Sequence, residues 1–223
     1  MTTATTFCFG ASRARLRAAP LDVRLGADAA SALATLVPLL GCGEEAAAIA
    51  FDGLAARDGD PATAVALRTI AEEERVHDSL LHSLAEALPA VSTEALQQQA
   101  RRFHIQLGRG STLAHLARIA AIDAGVCLIL SRLLRPGGPV SADTAVAQML
   151  ARIRRDETRH VRLSRALVLE RAEGRPFEDV AAAAREALAN VITLAADAFE
   201  GLAVDPARLQ ADLRALPQGL LRA

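Results

Sequence analysis

The stretch "IAEEERVHDS", residues 70–79, decides how the chain is read. Three consecutive glutamates are followed by a histidine. On a helix, residues three apart share a face, so Glu74 and His77 can present a carboxylate and an imidazole to one point. The spacing recurs in "RRDETRHVRL", residues 154–163, as Glu157 and His160. One E-x-x-H on a helix is ordinarily charged surface. Two of them in one chain call for a search for partners.

Each pair is preceded by an acid in apolar surroundings. Glu44 opens the apolar run "EEAAAIAFDGLAAR", and Asp123 stands alone in "LARIAAIDAGVCLIL". Helix signals place these acids level with the pairs. Gly59 stops one helix, Asp60 is an N-cap with Pro61 at the first helical position, and Pro89 ends the next. From Glu44 to Gly59, and back from Pro61 to Glu74, the rise is about 20 Å each way. From Asp123 to Leu134 it is about 17 Å, and from Thr144 to Glu157 about 20 Å. In two antiparallel hairpins, Glu44 therefore meets the level of Glu74, and Asp123 that of Glu157. The separations, 30 and 34 residues, form a loose internal repeat.

Composition supports an all-α chain. Of 223 residues, 52% are apolar and 23% charged, and aromatics amount to 3% with no Trp or Tyr. Ala, Leu, Arg and Glu dominate, and β-branched runs are scarce. The net charge of −1 exerts no pull toward nucleic acid or an anionic membrane. No uninterrupted apolar run approaches the ~18 residues that suggest a membrane span. Three cysteines, Cys8, Cys42 and Cys127, are few and odd in number. They suggest no disulfide scaffold, and a reducing cytoplasm is the expected compartment. Residues 1–26 lack a helical period and read as an N-terminal arm, Arg-containing and free of acid before Asp22 in a way shared by transit peptides.

The expected order is a helix over 27–40 with Pro38 near its end, then a strong helix from about Glu44. The Pro61 helix follows, then a connection over 90–111 with a short helix. A third strong helix spans 111–134, and a fourth begins near 144 with Ser141 as its cap. Helices over about 177–200 and 205–215 finish a single domain, 27–223, whose core is 40–170. Four carboxylates and two imidazoles would then face one another inside. Hard oxygen donors with imidazole suit Fe(II) or Mn(II), and such acids are costly to bury without cations.

This pattern resembles the ferritin-like superfamily of di-iron carboxylate proteins, in which Glu comes from each of two helices and E-x-x-H from each of the other two. Glu44, Ala47 and Phe51 match the rubrerythrin-like E-x-x-A-x-x-x-(aromatic). Ala71, Glu74 and His77 match A-x-x-E-x-x-H, and "DETRH" matches the D-E-x-x-H form. The resemblance covers about residues 40–170. It implies a ferritin-like four-helix bundle with a long crossover and additional C-terminal helices. It also implies two Fe ions (or Mn) held by Glu44, Glu74, His77, Asp123, Glu157 and His160. Asp156 would orient His77, and Glu73 would orient His160. The family usually has Glu where this chain has Asp123. Asp is one methylene shorter, which makes the second metal the point at issue.

Other residues read more plainly. Glu45, Glu72 and Asp52 are expected on the solvated face, and His82, His104 and His115 at the surface. Cys127 is expected as an inert buried thiol, and Cys8 and Cys42 have no partner motif. The basic connection "RRFHIQLGRG" reads as a solvated patch or partner face, or else as an anion site, tRNA backbone included. Three functions compete. One is an O2-activating oxidase or oxygenase acting on a small organic substrate, with room beside the metals at Ala47 and Ala48 and an external electron donor. Another is iron handling or peroxide detoxification, and the third is a non-catalytic interaction module. No membrane partner is expected, and a homodimer is compatible with all three.

Overall fold

Side-chain capping sets the start of four of the nine helices among the described residues. The computed structural model describes residues 7–9 and 21–216, so the readings of 1–6, 10–20 and 217–223, the transit-like segment included, lie outside the described residues. Helix α1 spans Ala27–Arg57, α2 Pro61–Ala87, α3 Glu94–Leu107 and α4 Thr112–Leu133. A short α5, Pro139–Ala142, leads into α6, Thr144–Arg171. Helices α7 Glu178–Thr193, α8 Ala196–Gly201 and α9 Pro206–Arg214 follow, and there is no strand among the described residues. Asp60 caps α2 by accepting from the Thr63 N–H at 2.8 Å, and Ser111 caps α4 by accepting from Ala114 N–H at 3.2 Å.

Two boundaries differ from expectation. The segments 27–40 and 44–59 are one helix, α1, running through Pro38, Gly41 and Gly43. Proline removes one helical hydrogen bond and an interior glycine costs about 1 kcal/mol. Burial outweighs both: Leu33, Leu36 and Val37 before the break and Cys42 after it are almost fully enclosed. The glycine at 41 is required, since a Cβ there would lie 2.0 Å from the Phe7 ring. The second difference is the cap of α6. Ser141 lies within α5, and its hydroxyl donates to Gly138 O at 2.8 Å. The cap is the buried Asp143, which accepts from the N–H groups of Ala145 and Val146 at 3.1 Å each, and from Arg24 N–H at 2.6 Å. One carboxylate thus both starts α6 and fastens the segment before α1.

Helices α1 and α2 lie against each other across the turn at 58–60, and α4 lies against α6. The two pairs meet through α2 and α6. Arg171 near the end of α6 donates to Asp58 at 2.6 Å, locking that end to the α1–α2 turn. Helix α7 packs on α4 and α3, and α9 packs on α7. Gly125 of α4 allows this approach, because a Cβ there would stand 2.5 Å from the Leu188 side chain. Helices α1 and α4 are each long and apolar enough to cross a membrane by composition, although their runs are interrupted by charge. About half of each apolar window is buried against the other helices (50% and 56%), as core helices are.

Candidate metal centre

Three helices bring acids to one interior point, Glu44 on α1, Glu74 on α2 and Glu157 on α6, and Asp123 on α4 lies beside it on the wall of the adjoining cavity. Relative exposures are 5% for Glu44 on α1, 1% for Glu74 on α2, 6% for Asp123 on α4 and 3% for Glu157 on α6. His77 and His160 are fully enclosed. Ligand-capable atoms of Glu44, Glu74, His77 and Glu157 all lie within 4.8 Å of one another. His160 joins them, with Nδ1 3.0 Å from Glu74 Oε1 and 3.6 Å from Glu157 Oε2. The register is the one that hairpin arithmetic anticipates.

The two imidazoles are held in mirror fashion. His77 turns Nδ1 inward, 3.3 Å from Glu44 Oε2, 3.2 Å from Glu74 Oε2 and 3.4 Å from Glu157 Oε1. Its Nε2 points outward and meets Asp156 Oδ2 at 3.2 Å. His160 likewise turns Nδ1 inward, and its Nε2 meets Glu73 Oε2 at 2.8 Å. The acid preceding each cluster glutamate therefore serves the histidine of the facing helix. Arg159 links the two outer acids, donating to Glu73 Oε1 at 3.1 Å and to Asp156 Oδ1 at 2.6 Å. No motif singled out Arg159. Its position next to His160 is the one trace it leaves in the sequence.

The electrostatics are those of a crowded anionic site. Burial, then the charge of Glu74, pushes the Glu44 carboxyl up to about 8. Burial, then Glu157 and Glu74, raises Asp123 well above the ordinary carboxyl range. Burial and the Glu157 charge also push Glu74 upward, but the facing His160 and His77 imidazoles and the Glu44 carboxyl hold it low. Burial alone would lower both imidazoles. The facing carboxylates, Glu157 foremost, outweigh it and raise both.

Three buried atoms fit a cation better than a proton. Glu74 Oε1, His160 Nδ1 and Asp123 Oδ2 have no hydrogen-bond partner. Glu74 Oε1 and His160 Nδ1 are only 3.0 Å apart, yet they are not aligned to bond each other. Such orphaned polar atoms cost about 1–3 kcal/mol each unless something satisfies them. Lone pairs that converge without bonding, from hard oxygen and imidazole nitrogen, suit a divalent ion such as Fe(II) or Mn(II).

Several surface expectations are corrected. Glu45 is buried rather than solvated: it accepts the N–H groups of Phe7, Cys8 and Phe9 at 2.9, 2.7 and 2.6 Å. Cys8 and Cys42 form a disulfide that fastens the same segment to α1, which removes the argument for a reducing compartment from cysteine count. His82 packs under Phe7 at 3.9 Å between ring centroids and reaches Asp78 at 3.1 Å. His104 and His115 are half-buried. Glu72 is exposed beside Arg75, which also pairs with Asp52. Cys127 is half-buried against Thr158 and Arg154, with its thiol raised to about 11 chiefly by burial. In the basic connection, Arg118 donates to Leu107 O at 2.9 Å, and Arg101 stands 5.8 Å over the Phe9 ring.

A cavity of 290 Å³ adjoins the cluster, and Glu44, Glu74, Asp123 and Glu157 lie on its wall. The rest of the lining is almost wholly apolar. Ala46, Ala47 and Ala50 open the space on the α1 side, whereas Ala48, expected to do so, packs into the core. The chain matches no protein-family model and no curated protein sequence.

Proposed function

We propose that the chain is a ferritin-like di-iron carboxylate protein that activates O2 to oxidise a small organic substrate. The observation that carries this reading is the placement of all four buried carboxylates on the wall of an apolar cavity. Iron storage requires a polar route for hydrated ions, whereas a dry chamber beside the ligands suits an organic molecule and O2. Glu44, Glu74, Asp123 and Glu157 with Nδ1 of His77 and His160 would hold two iron ions, and Mn(II) fits the same donors. When bound, two ferrous ions supply electrons that reduce O2, and an external donor restores them.

The chain's own residues have defined tasks in this reading. Asp156 and Glu73 would each accept a hydrogen bond from the Nε2–H of a histidine, which leaves the Nδ1 lone pair directed inward. Arg159 fixes both acids at once. Phe51 closes one side, its ring 6.2 Å from that of His160. The apolar walls exclude water from the substrate side.

The test is metal stoichiometry and O2 consumption on the whole chain. The protein is reconstituted anaerobically with Fe(II), with Glu74→Ala and Glu157→Ala as controls. About two irons per chain, lost in both variants, followed by O2 uptake of order one per pair of irons, is expected. Less than one iron per chain sinks the metal centre. Continued uptake far beyond two would point to iron handling instead.

A further inference from the structure

Helix α6 carries a charge pattern that the carboxylate cluster uses only at Arg159. Between Thr144 and Leu169 it holds six arginines, and its only acids are Asp156 and Glu157. Three of the arginines are engaged or enclosed. Arg154 donates to Ser131 Oγ at 3.3 Å, Arg159 donates to Glu73 and Asp156, and Arg165 is half-buried. Arg152, Arg155 and Arg162 are exposed and form no ion pair among the described residues. At 100° per residue, positions 152, 155, 159 and 162 fall within an arc of about 80° and span about 15 Å along the axis. The outer face of α6 is therefore a stripe of cations, with free arginines on either side of the half-exposed Arg159 (50%).

The chemistry of the stripe selects its partner. A lipid surface needs an apolar face beside the cations. Among the described residues the exposed large apolar side chains are Ile49, Val65, Val91, Ile105 and Leu194, and none lies on α6. A helix reads duplex nucleic acid by entering the major groove, but α6 is flanked by α2 and α4. A single strand is gripped by stacking on aromatic rings as well as by charge, and none of the six phenylalanines is exposed. One small anion cannot bridge cations spread over such a length. Carboxylates on a helix match the stripe. Acids at the same three-four-three spacing meet the arginines in either chain direction, and the planar guanidinium pairs with a carboxylate through two hydrogen bonds.

We propose that the outer face of α6 is a docking surface for a partner protein that presents an acidic helix, its carboxylates paired with Arg152, Arg155 and Arg162. Exposed ion pairs are individually weak and are screened by salt. Three of them along one helix make a contact that forms and releases readily, as suits a transient partner. The docking surface stands whether or not the carboxylate cluster holds metal. Arg159 lies in the same stripe and holds Glu73 and Asp156, so the bound helix would lie one side chain away from the acids behind both histidines.

The test follows, by fluorescence anisotropy, the binding of a labelled alanine-based helical peptide to the whole chain. The peptide carries four glutamates at three-four-three spacing, and a control of the same composition spreads them around the helix. One saturable site per chain is expected at about 50 mM salt, with affinity at least tenfold lower at about 300 mM. The control peptide should bind at least tenfold more weakly. Arg152→Gln, Arg155→Gln and Arg162→Gln, combined, should weaken the first peptide at least tenfold, with a circular dichroism melt confirming that the variant is folded. Arg68→Gln with Arg102→Gln, at exposed arginines of α2 and α3, should leave it unchanged. Absence of a saturable site, equal binding of the control peptide, or equal loss in the two variants overturns the proposal. Single-stranded oligothymidylate or phosphatidylserine vesicles that bind more tightly than the peptide, and lose that binding in the triple variant, would overturn it as well and assign the stripe to nucleic acid or to lipid.

Discussion

His77 on α2 and Asp156 on α6, 79 positions apart, meet at 3.2 Å through Nε2 and Oδ2, on the side of the ring facing away from the cluster. The contact fixes which nitrogen looks inward. Asp156→Ala and Glu73→Ala should each weaken Fe(II) or Mn(II) binding about ten- to a hundredfold, as loss of the acid behind a ligating histidine generally does. Competition with a chromophoric chelator would measure it. Glu72→Ala, at an exposed neighbour of Glu73, should leave affinity unchanged, and an equal loss there would assign the effect to general charge.

A pH dependence follows from His104 and His115. Both are pushed down to about 4 by burial, from ordinary values near 6.5. Between those limits the unfolded chain binds more protons than the folded one, so stability falls as pH falls from about 6.5 to about 4. Above 6.5 the contribution is complete. Urea melts of the whole chain between pH 7 and 4 should show the decline, and the His104→Phe, His115→Phe variant should flatten it. An unchanged slope in that variant would place the titrating groups elsewhere.

The N-terminal segment is fastened twice, by the Glu45 carboxylate and by the Cys8–Cys42 disulfide. The bridge closes a separation of 34 residues, for which chain entropy gives about 4 kcal/mol. Dithiothreitol, or Cys8→Ser, should therefore lower the melting temperature by several degrees. Glu45→Ala should cost about 3 kcal/mol through loss of charge-assisted hydrogen bonds. Its effect should shrink in reduced protein, because both ties hold one segment and their losses are not additive. Equal losses in both redox states would mean the two act independently.

The cluster was legible because its residues obey one helical period. Glu74 and His77, and Glu157 and His160, are three apart, and the hairpin lengths follow from Gly59, Pro61 and Pro89. The crossed support of the histidines came through the resemblance, which implies an orienting acid before each cluster glutamate. Glu45 was not legible. It differs from Glu44 by one position, and its role depends on backbone N–H groups 36 to 38 residues earlier in a segment with no period. Local propensity also misplaced the start of the first strong helix. Pro38, Gly41 and Gly43 signal a break, but burial on both sides holds α1 continuous. The cavity had no sequence signal beyond Ala47, because its walls come from seven helices and α7 enters through the single glycine at 125.

In the di-iron reading proposed above, Asp123 would set how many ions the site holds. It is buried, its carboxyl is raised well above the ordinary range by burial and by Glu157 and Glu74, and its Oδ2 has no partner. An acid kept in that state is stabilised by a cation on its unbonded oxygen. Asp123→Ala should reduce iron or manganese from two to one per chain while Glu44, Glu74, His77, Glu157 and His160 retain the first. Asp123→Glu, which adds the missing methylene, should keep two. Metal analysis after gel filtration reads both variants directly. Two ions in Asp123→Ala would show that the short carboxylate holds neither, and would make its burial a feature of the cavity wall.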